Sequence, residues 1–554
     1  MRKYIGLLFS LHLSCGIAFS QLWTVRFNGT GNGDDAIKSM VTDNAGNVYV
    51  TGYSYSGGSN YDYITIKYNS NGVQQWQARY NGPPATGTDQ ANAIFVDNAG
   101  NVYVTGYSYQ QAFYGNMDIA TVKYNAQGIQ QWVARFDGLL HRADAGTAIK
   151  VDASGNVYVA GWTTDTHASY ARKDYVIVKY NSSGVQQWVS TYNGPGNKDD
   201  VPAGLGLDAA GNVYVTGTSY AGEYTGKNDL LTIKYNPQGV QQWQGRYNSV
   251  VNGYDYSNGI VVDNSGNTYV TGASLGDGTD QNYVTIKYNT TGSQVWVKSY
   301  DGPGHGYDIA HAIALDNSGN VYVTGESQSA SFKTDYCTLK YSTTGVQQWT
   351  ARYNGTANDN DVANALAVDG SGNVFVTGCI NGLIDTWDIS TVKYSSAGMQ
   401  QWVKRYDGPG HKSDNGIAAG VDLGGNVYIA GSSAGASSGI DFVTIKYGPA
   451  TTGNKSLPTE DDPHLITPVK FNLQNYPNPF RTSTEISFSI PSDRVVKLAI
   501  YDMRGNEVAT LVNGQLKKGN YKIQWIPGKL PAGSYFYKLL SGRFESKGKM
   551  ILIK

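Results

Sequence analysis

The sequence predicts an all-β protein, an eight-bladed β-propeller followed by a small immunoglobulin-like β-sandwich. The first observation behind this is a repeat. The phrase Asp-Asn-Ala-Gly-Asn-Val-Tyr-Val-Thr-Gly at 43–52 returns seven more times in varied form, with its turn glycine at Gly46, Gly100, Gly155, Gly211, Gly266, Gly319, Gly372 and Gly425. A period of 53 to 56 residues marks a repeat architecture. The second observation is composition, since 68 glycines and 43 tyrosines with only 15% charged residues suit many short strands and tight turns.

Each repeat is predicted to contain four short strands. Examples are 91–96 for the first, Asn-Val-Tyr-Val-Thr for the second, 62–68 for the third and 74–80 for the fourth. These runs are rich in β-branched and aromatic residues and are bounded by Gly, Asn, Asp and Pro, as strands are. The turns at 43–46 and 69–72 are short in every repeat and have the residues of a type I turn. The other two connections are longer and vary, and a meander places both on the opposite face.

The ends of the repeat region indicate a closed ring. Residues 22–29 match a fourth strand but precede the first complete repeat, and the last repeat stops after its third strand, 441–447. The N-terminal strand is therefore expected to complete the last blade, which removes exposed sheet edges. The number of blades follows from the fourth-strand tryptophans, which are Trp23, Trp76, Trp132, Trp188, Trp243, Trp296, Trp349 and Trp402.

The repeats resemble a known family. Their Gly-Asn-Val-Tyr-Val-Thr-Gly units are similar to the bacterial β-propeller repeat called SBBP over about 21–447, although that family label implies seven blades and this chain counts to eight. The stretch Tyr68-Asn69-x-x-Gly72-x-x-x-Trp76 resembles the tryptophan-docking motif of eight-bladed quinoprotein dehydrogenases. This resemblance implies that the eight tryptophans have a structural role, each packing on the glycine turn of a neighbouring blade.

The two ends of the chain predict export. Residues 1–20 have the basic start, apolar stretch and Ala18-Phe19-Ser20 ending of a signal peptide, so the mature chain is expected to begin at Gln21. No later segment approaches the length of a membrane span. Cys337 and Cys379 remain after cleavage and are expected to be free, buried thiols.

Residues 448–470 are turn-rich and low in apolar residues, as linkers are, and 471–554 form a strand-rich segment without the repeat. This segment resembles the type A C-terminal sorting domain of the type IX secretion system of Bacteroidota, through Tyr476-Pro-Asn-Pro-Phe480, the Gly505-Asn506 turn and Pro531-Ala-Gly-Ser-Tyr535. The resemblance implies handling by the type IX machinery at the outer membrane of a Gram-negative cell. It also implies removal of the domain, with the cargo released or attached to the surface.

The recurrent charged residues are predicted to be structural. Aspartates recur at the turn (Asp43 type), eight residues before it (Asp35 type) and at the start of the third strand (Asp62 type). Asn282 is the one exception, at the third of these positions. A catalytic pair is needed at one place only, so carboxylates that recur in this way favour turn caps and buried links to the recurrent lysines (Lys67 type) and to the arginines of six fourth strands.

The sequence predicts no catalytic residue, metal or cofactor. The Asp43-type turn supplies one carboxylate where a calcium loop gathers several. His141, His305 and His411 fall in blades that are not all adjacent, which disfavours a shared zinc site. The sequence contains no phosphate-binding loop motif and no His-Glu-x-x-His motif. A net charge of −1 without a basic run gives no support to a nucleic-acid partner.

The varied loops predict a binding face. They are rich in Tyr, Ser, Gly and Asn, a mixture of stiff rings and adaptable polar groups that suits recognition. The candidate ligand-binding residues are Tyr53, Tyr55, Tyr107, Tyr109, Tyr114, Trp162, Tyr170, Tyr220, Tyr224 and Trp387. Some of these rings could instead pack against a neighbouring blade. The predicted function is non-catalytic recognition of an extracellular glycan or protein, as in adhesion.

Two other functions remain open at this point. One is an extracellular lyase, glycosidase or quinoprotein-like oxidoreductase with its site in the central channel, which requires a unique polar cluster on the innermost strands. Those strands are small and apolar at 91–94 and 363–366. The other is a structural spacer, which requires an inert loop face.

Overall fold

A computed structural model describes residues 19–57, 60–83, 87–109, 117–165, 172–222, 227–277, 280–382, 386–449, 473–490, 494–503, 505–517, 519–541 and 544–553. Every regular element in these ranges is a β-strand. The chain divides into two compact units, Met1–Gly453 and Asn454–Lys554. All of the predicted linker except residues 448 and 449, which end a strand, and all but two residues of the predicted signal peptide lie outside the described residues.

The first unit consists of eight four-stranded antiparallel sheets, as predicted, and each sheet is one blade. The N-terminal strand is β1 (Phe19–Phe27). Blade 1 contains β2 (Asp35–Thr42), β3 (Val48–Gly57), β4 (Asn60–Tyr68) and β5 (Gln74–Tyr80). Blade 2 contains β6 (Asp89–Val96), β7 (Val102–Tyr109), β8 (Met117–Tyr124) and β9 (Gln130–Phe136). Blade 3 contains β10 (Asp144–Val151), β11 (Val157–Asp165), β12 (Arg172–Tyr180) and β13 (Gln186–Tyr192). Blade 4 contains β14 (Asp200–Leu207), β15 (Val213–Tyr220), β16 (Asn228–Tyr235) and β17 (Gln241–Tyr247).

The second half of the propeller continues in the same way. Blade 5 contains β18 (Asp255–Val262), β19 (Thr268–Leu275), β20 (Gln281–Tyr288) and β21 (Gln294–Tyr300). Blade 6 contains β22 (Asp308–Leu315), β23 (Val321–Gln328), β24 (Thr334–Tyr341) and β25 (Gln347–Tyr353). Blade 7 contains β26 (Asp361–Val368), β27 (Val374–Asn381), β28 (Trp387–Tyr394) and β29 (Gln400–Tyr406). Blade 8 contains β30 (Asp414–Val421), β31 (Val427–Ala434) and β32 (Ile440–Pro449), with β1 as its fourth strand.

The ring is closed by the N-terminal strand, which confirms the prediction made from the chain ends. Strand β1 pairs antiparallel with β32, with Trp23 opposite Lys446 and Val25 opposite Thr444. Blades 8 and 1 share one hydrophobic cluster, in which Ile37 of blade 1 packs with residues of blade 8 such as Phe442. The two ends of the repeat region are therefore joined by backbone hydrogen bonds and by a common core, and no blade edge is left open at the seam.

Each short turn between the first and second strands is held by its aspartate. In blade 1 the Asp43 carboxylate accepts hydrogen bonds from the backbone N–H of Ala45 (3.0 Å) and of Asn47 (2.9 Å) and from the Asn47 side chain (2.7 Å). Gly46 has a φ of +76°, which only glycine adopts at small cost. The turn aspartate is thus a backbone cap, as the sequence predicts.

The structure places the fourth-strand tryptophans between neighbouring blades. The Trp76 ring lies over Gly128 of blade 2, where an added Cβ would be 2.5 Å from Cδ2 of the indole, and its Nε1 donates to the carbonyl of Ala126 at 3.0 Å. The same indole-to-turn contact is made by Trp23, Trp132, Trp188, Trp243, Trp296 and Trp349.

Trp402 differs because blade 8 has no turn between its third and fourth strands. These strands come from opposite ends of the chain, so no turn carbonyl faces the indole. Phe19 of β1 stacks on Trp402 instead, with ring centroids 5.6 Å apart. The Trp402 Nε1 has no hydrogen-bond partner among the described residues. Phe19 lies within the predicted signal peptide, so this stacking belongs to the uncleaved chain.

The second unit contains two sheets around one core, as expected for a small sandwich. One sheet has the order β33 (Gln474–Tyr476), β34 (Thr484–Ile490), β37 (Gly519–Trp525). The other has the order β36 (Glu507–Leu516), β35 (Arg494–Tyr501), β38 (Gly533–Ser541), β39 (Phe544–Leu552). Both sheets contribute to one hydrophobic cluster. The Pro-Asn-Pro-Phe segment secures the last strand, since Asn478 Oδ1 accepts from the N–H of Ile551 at 2.9 Å and Phe480 exchanges backbone hydrogen bonds with Ile551 and Ile553.

Candidate functional site

The recurrent aspartates and arginines form ion pairs in six of the eight blades. In blade 4, Arg246 Nη1 donates to Asp229 Oδ2 at 3.0 Å, and Nη2 donates to the hydroxyl of Ser219 at 2.8 Å. Nη2 also donates to the Tyr192 hydroxyl of blade 3 at 3.1 Å, so the network joins two blades. Equivalent pairs are Arg26–Asp441, Arg79–Asp62, Arg135–Asp118, Arg352–Asp335 and Arg405–Asp388. The carboxylates are buried, and each guanidinium neutralises one of them.

The recurrent lysines have a different role from the expected link to aspartate. Lys123 lies over the ring of Tyr103, with Nζ 5.1 Å from its centroid, and donates to the carbonyl of Ser182 in blade 3 at 3.3 Å. Trp132 Nε1 donates to the same carbonyl at 3.1 Å. The lysine and the tryptophan therefore cap one turn of the next blade together.

The Asp35-type aspartates close the long connection between blades. Asp89 Oδ2 accepts from the N–H of Gly82 at 2.7 Å at the entry to blade 2. Burial raises the pKa of Asp89 to about 6, against the lowering effect of hydrogen bonds from Ser108 and Gly82. The carboxyl group thus replaces missing backbone partners in a buried loop. Its recurrence in every blade agrees with a structural role.

The predicted aromatic residues fall into two positions near the end of the second strand. The first position directly follows the glycine that recurs in each second strand (Gly52 in blade 1). It holds Tyr53, Tyr107, Trp162, Thr218, Ala273, Glu326, Cys379 and Ser432. The second position, two residues later, holds Tyr55, Tyr109, Thr164, Tyr220, Leu275, Gln328, Asn381 and Ala434. Because strand side chains alternate, both positions lie on the same sheet face, opposite the serine that joins the ion-pair network.

Tyr55 and Tyr220 at the second position pack on glycine loops of their own blades. A Cβ added to Gly33 would lie 2.5 Å from Cδ1 of Tyr55, and a Cβ added to Gly196 would lie 2.5 Å from Cδ1 of Tyr220. Leu275 takes the same place over Gly253 in blade 5, so an apolar residue suffices there. These contacts give Tyr55 and Tyr220 a packing role in addition to any contact with a ligand.

Blades 1 and 2 bring four tyrosines together, and we call these the tyrosine platform: Tyr53, Tyr61, Tyr107 and Tyr109. Tyr53 and Tyr61 meet edge to face at 5.2 Å, and Tyr107 and Tyr109 at 6.0 Å. Tyr55 also meets Tyr61, with ring centroids 5.5 Å apart, and so adjoins the platform. Burial raises the pKa of Tyr107 to about 12, and Tyr109 and Tyr53 of the neighbouring blade add to the rise. All four rings are half-buried, and each keeps part of its surface in solvent.

Two polar residues adjoin the tyrosine platform. The exposed Lys38 places Nζ 5.5 Å from the centroid of Tyr53, and the Tyr107 hydroxyl donates to Gln90 Oε1 at 2.7 Å. Sequence reasoning missed Tyr61, Lys38 and Gln90. Tyr61 could have been found from its place directly before the Asp62-type aspartate, whereas Lys38 and Gln90 stand on the first strands of blades 1 and 2, outside the varied loops in which binding residues were sought.

The remaining candidate residues lie apart from the tyrosine platform. Trp162 in blade 3 has Lys173 Nζ 4.2 Å from its ring centroid, and Tyr220 in blade 4 has Lys198 Nζ at 4.0 Å. Trp387 begins β28 in blade 7 and is half-buried. Tyr114, Tyr170 and Tyr224 lie outside the described residues.

The innermost strands carry a second set of polar side chains at a β-bulge. Asn92 donates to the carbonyl of Gly146 in the next blade at 2.9 Å, and Asn258 donates to that of Ala310 at 2.8 Å. His311 occupies this position in blade 6, and its Nε2 lies 3.6 Å from Glu326 Oε1. This pair is not repeated in the other blades and was not found from the sequence.

The two thiols are buried, as expected. Burial raises the pKa of Cys337 and of Cys379 to about 12. A thiol with such a pKa is almost entirely protonated at neutral pH, and the thiolate is the nucleophilic form. Neither residue is therefore suited to nucleophilic catalysis.

Family comparisons agree with both units. The family described as "Secretion system C-terminal sorting domain" matches residues 474–554, and the family described as "Beta-propeller repeat" (SBBP) matches residues 78–111, 302–333 and 348–385. The chain thus carries SBBP-type propeller repeats and a type IX sorting domain, which point to export and to a secreted or cell-surface location. No helix among the described residues is long and apolar enough to cross a membrane.

The individual proteins that resemble this chain share only a small fraction of its sequence. An uncharacterised WD repeat-containing protein of Acanthamoeba polyphaga mimivirus is 25% identical over 384 residues, which cover 57% of this chain and 26% of that protein. The chain thus spans about a quarter of that relative. PorZ, a surface component of the type IX secretion system of Porphyromonas gingivalis, aligns over 94% of this chain and 86% of its own with 11% identity and a TM-score of 0.30. A Dyadobacter fermentans protein of unknown function aligns over 78% and 99% with 9% identity and a TM-score of 0.37.

Proposed function

We propose that the protein is a non-catalytic recognition module of the cell surface that binds an extracellular glycan or protein in adhesion or capture. The observation that carries this proposal is the tyrosine platform, which joins two blades and adjoins the exposed ammonium group of Lys38. The other blades place Thr, Ala, Glu, Cys or Ser at the position of Tyr53, apart from Trp162 in blade 3. The platform is thus a local departure from the repeat.

The chemistry of the platform suits recognition. Half-buried tyrosine rings offer rigid apolar faces and hydroxyl edges, so contact with a ligand costs little conformational entropy. Their ring-to-ring contacts at 5.2 and 6.0 Å hold the faces in place before a ligand arrives. A saccharide ring can stack on such a face while its hydroxyl groups bond to Tyr, Gln90 or Lys38.

The absence of catalysis in this proposal has separate support. The recurrent buried aspartates are engaged by arginines or by backbone N–H groups, and the two thiols are protonated. One observation favours the alternative of an enzyme, namely the His311–Glu326 pair on the channel side of blade 6. If the protein turned over a lyase or glycosidase substrate and His311→Ala abolished that turnover, the proposed function would be catalysis instead of recognition.

The proposal is tested by binding of the full exported chain to an array of polysaccharides and matrix proteins. The test variant is Tyr53→Ala/Tyr107→Ala, and the matched control is Tyr254→Ala, which removes an exposed aromatic ring in blade 5. Specific binding that is lost in the test variant and kept in the control supports the proposal, provided that both melt close to the parent chain. Binding that survives in the test variant, or no binding across the array, contradicts it.

A further inference from the structure

The loop that follows each fourth strand contains a pair of residues that changes in a coordinated way. At the seven junctions where both members are described, the first member is the residue directly after the strand, and the second lies four positions later with a positive φ. Four junctions use two asparagines joined side chain to side chain, and these pairs are Asn28–Asn32, Asn193–Asn197, Asn248–Asn252 and Asn354–Asn358. Three junctions use aspartate and histidine instead, and these pairs are Asp137–His141, Asp301–His305 and Asp407–His411.

At two of the three Asp–His junctions the new aspartate meets two buried carboxylates. Asp137 joins Asp118 and Asp144 between blades 2 and 3, and one carboxylate oxygen from each lies within 4.8 Å of the other two. The second group has the same geometry between blades 7 and 8 and consists of Asp388, Asp407 and Asp414. We call these groups the junction clusters. They contain equivalent positions of two separate blade interfaces, so the arrangement occurs twice in one chain.

The third Asp–His junction provides an internal comparison. Between blades 5 and 6, Asp301 and Asp308 are present, but Asn282 stands where the other two junctions have Asp118 and Asp388. Only two carboxylates are then available. Among the described residues this junction is not one of the groups of three possible metal ligands.

The distances within the junction clusters fit a calcium ion. Calcium binds oxygen ligands at 2.3–2.6 Å, so two ligands on opposite sides of one ion are at most about 5 Å apart. Three oxygens within 4.8 Å of one another can therefore share an ion. Each cluster contains only carboxylates, which are ligands for hard cations rather than for zinc or copper.

Buried and incompletely satisfied oxygens give independent support. Asp388 and Asp144 are each about 1% exposed, and Oδ1 of each has no hydrogen-bond partner among the described residues. Oδ1 of Asp62 and of Asp229 also lacks a described partner in blades without a cluster, so such an oxygen points to a cation only where further carboxylates lie within reach. A buried carboxylate oxygen without a partner is costly unless a cation or donor meets it. Arg405 pairs with Asp388 through the other oxygen, so one of the three carboxylates has a guanidinium partner. An excess of two negative charges remains, which one divalent cation would neutralise.

We propose that the two junction clusters are calcium-binding sites that join blade 2 to blade 3 and blade 7 to blade 8. The ligands come from the start of a third strand, from the residue after a fourth strand and from the first strand of the next blade. The histidine on each loop contacts the non-strand aspartate through Nδ1, at 2.6 Å from Asp137 and 3.1 Å from Asp407, and so orients it. Three carboxylates beside an arginine imply weak sites, with a Kd on the order of 10⁻⁴ to 10⁻³ M, as in extracellular calcium modules.

The test is calorimetric titration of the full chain with CaCl₂ at pH 7.5 after removal of bound metal. Two sites per chain are expected, and the melting temperature should rise in CaCl₂ compared with NaCl of equal ionic strength. Asp137→Asn/His141→Asn and Asp407→Asn/His411→Asn each restore the asparagine pair that other junctions use, so they should fold. Each pair of substitutions is expected to remove one site, and all four together should remove both sites and the rise in melting temperature.

The control is Asp301→Asn/His305→Asn, which makes the same change at the junction without the third carboxylate and should keep two sites. Absence of saturable calcium binding in the parent chain overturns the proposal. Binding that persists when both junction clusters are changed also overturns it, since the calcium would then lie elsewhere. Equal or tighter binding of magnesium would overturn the assignment to calcium.

Discussion

Removal of a network arginine should destabilise the propeller, and blade 4 offers the sharpest test. Arg246→Ser deletes the partner of Asp229, which is about 2% exposed, and also removes hydrogen bonds to Ser219 and to Tyr192 of blade 3. Blade 5 has two uncharged residues at the same positions, Asn282 and Ser299. The double variant Asp229→Asn/Arg246→Ser introduces this uncharged pair into blade 4.

The expected magnitudes follow from burial. Breaking a buried ion pair on one side costs about 3–5 kcal/mol, because a charge is left without its partner. The Arg246 side chain is 21% exposed, so water can reach part of the gap, and we expect about 3 kcal/mol for Arg246→Ser. The double variant leaves no buried charge and should cost about 1 kcal/mol. Arg246→Ser alone is therefore expected to be about 2 kcal/mol less stable than the double variant, and the coupling energy follows once Asp229→Asn is measured as well.

The assay is denaturant unfolding of the parent, the two single variants and the double variant, with reversibility checked. Thermal melting is the second measurement. The unfolding entropy of a propeller of this size is about 1 kcal/mol per kelvin, so a loss of 3 kcal/mol lowers the melting temperature by roughly 3 °C. The deficit of Arg246→Ser should shrink as the pH falls, because protonation removes the unpaired charge of Asp229. If Arg246→Ser were no less stable than the double variant, the ion pair would not stabilise the fold and this reasoning would fail.

Three further predictions concern the turns, the buried carboxyls and the thiols. Gly128→Ala should destabilise the fold by about 3 kcal/mol, because the new Cβ meets the Trp76 ring and the residue has a positive φ. Gly425→Ala should cost only about 1 kcal/mol, because Gly425 has a φ of +74° but no atom within 4 Å of the added Cβ. Equal melting temperatures of the two variants would contradict this. Because burial raises the pKa of Asp89 to about 6, its contribution is present below the unfolded pKa of about 4 and is lost as the pH rises to 6. Asp89→Asn should therefore flatten the melting temperature between pH 4 and 6, and an unchanged slope would count against this origin. Cys337 should resist a thiol reagent at pH 8 until the chain unfolds, and rapid labelling of the folded chain would show that it is accessible.

The architecture could be predicted from the sequence because each structural rule is repeated eight times. The period, the turn glycines and the extra strand at 22–29 determine the number of blades and the closure, and each is a local pattern. The role of the lysines could not be predicted, because Lys123 meets a carbonyl of the next blade at Ser182. Contacts between blades depend on how the sheets stack, and the sequence of one blade does not contain that information.

The aromatic residues show the same limit at closer range. Tyr53 and Tyr55 lie two residues apart on one strand and on one sheet face, so pattern and composition treat them alike. Only the fold shows that both rings meet Tyr61, that Tyr55 also covers the loop at Gly33 and that Tyr53 lies beside Lys38. The junction clusters were missed for a related reason, since Asp118, Asp137 and Asp144 come from three segments and two blades.

Function in this propeller should be sought where the repeats differ. Positions that are constant in all or nearly all blades, such as the docking tryptophans and the Asp35-type carboxyls, have local structural tasks that eight copies perform in parallel. A ligand or an ion that binds once or twice requires residues that break the eightfold pattern. The tyrosine platform breaks it in two adjacent blades, and the junction clusters break it at two interfaces. Each of these residues can be replaced by the residue that other blades have at the same position. Such a variant should lose the binding site and keep the fold, so loss of function can be separated from loss of structure.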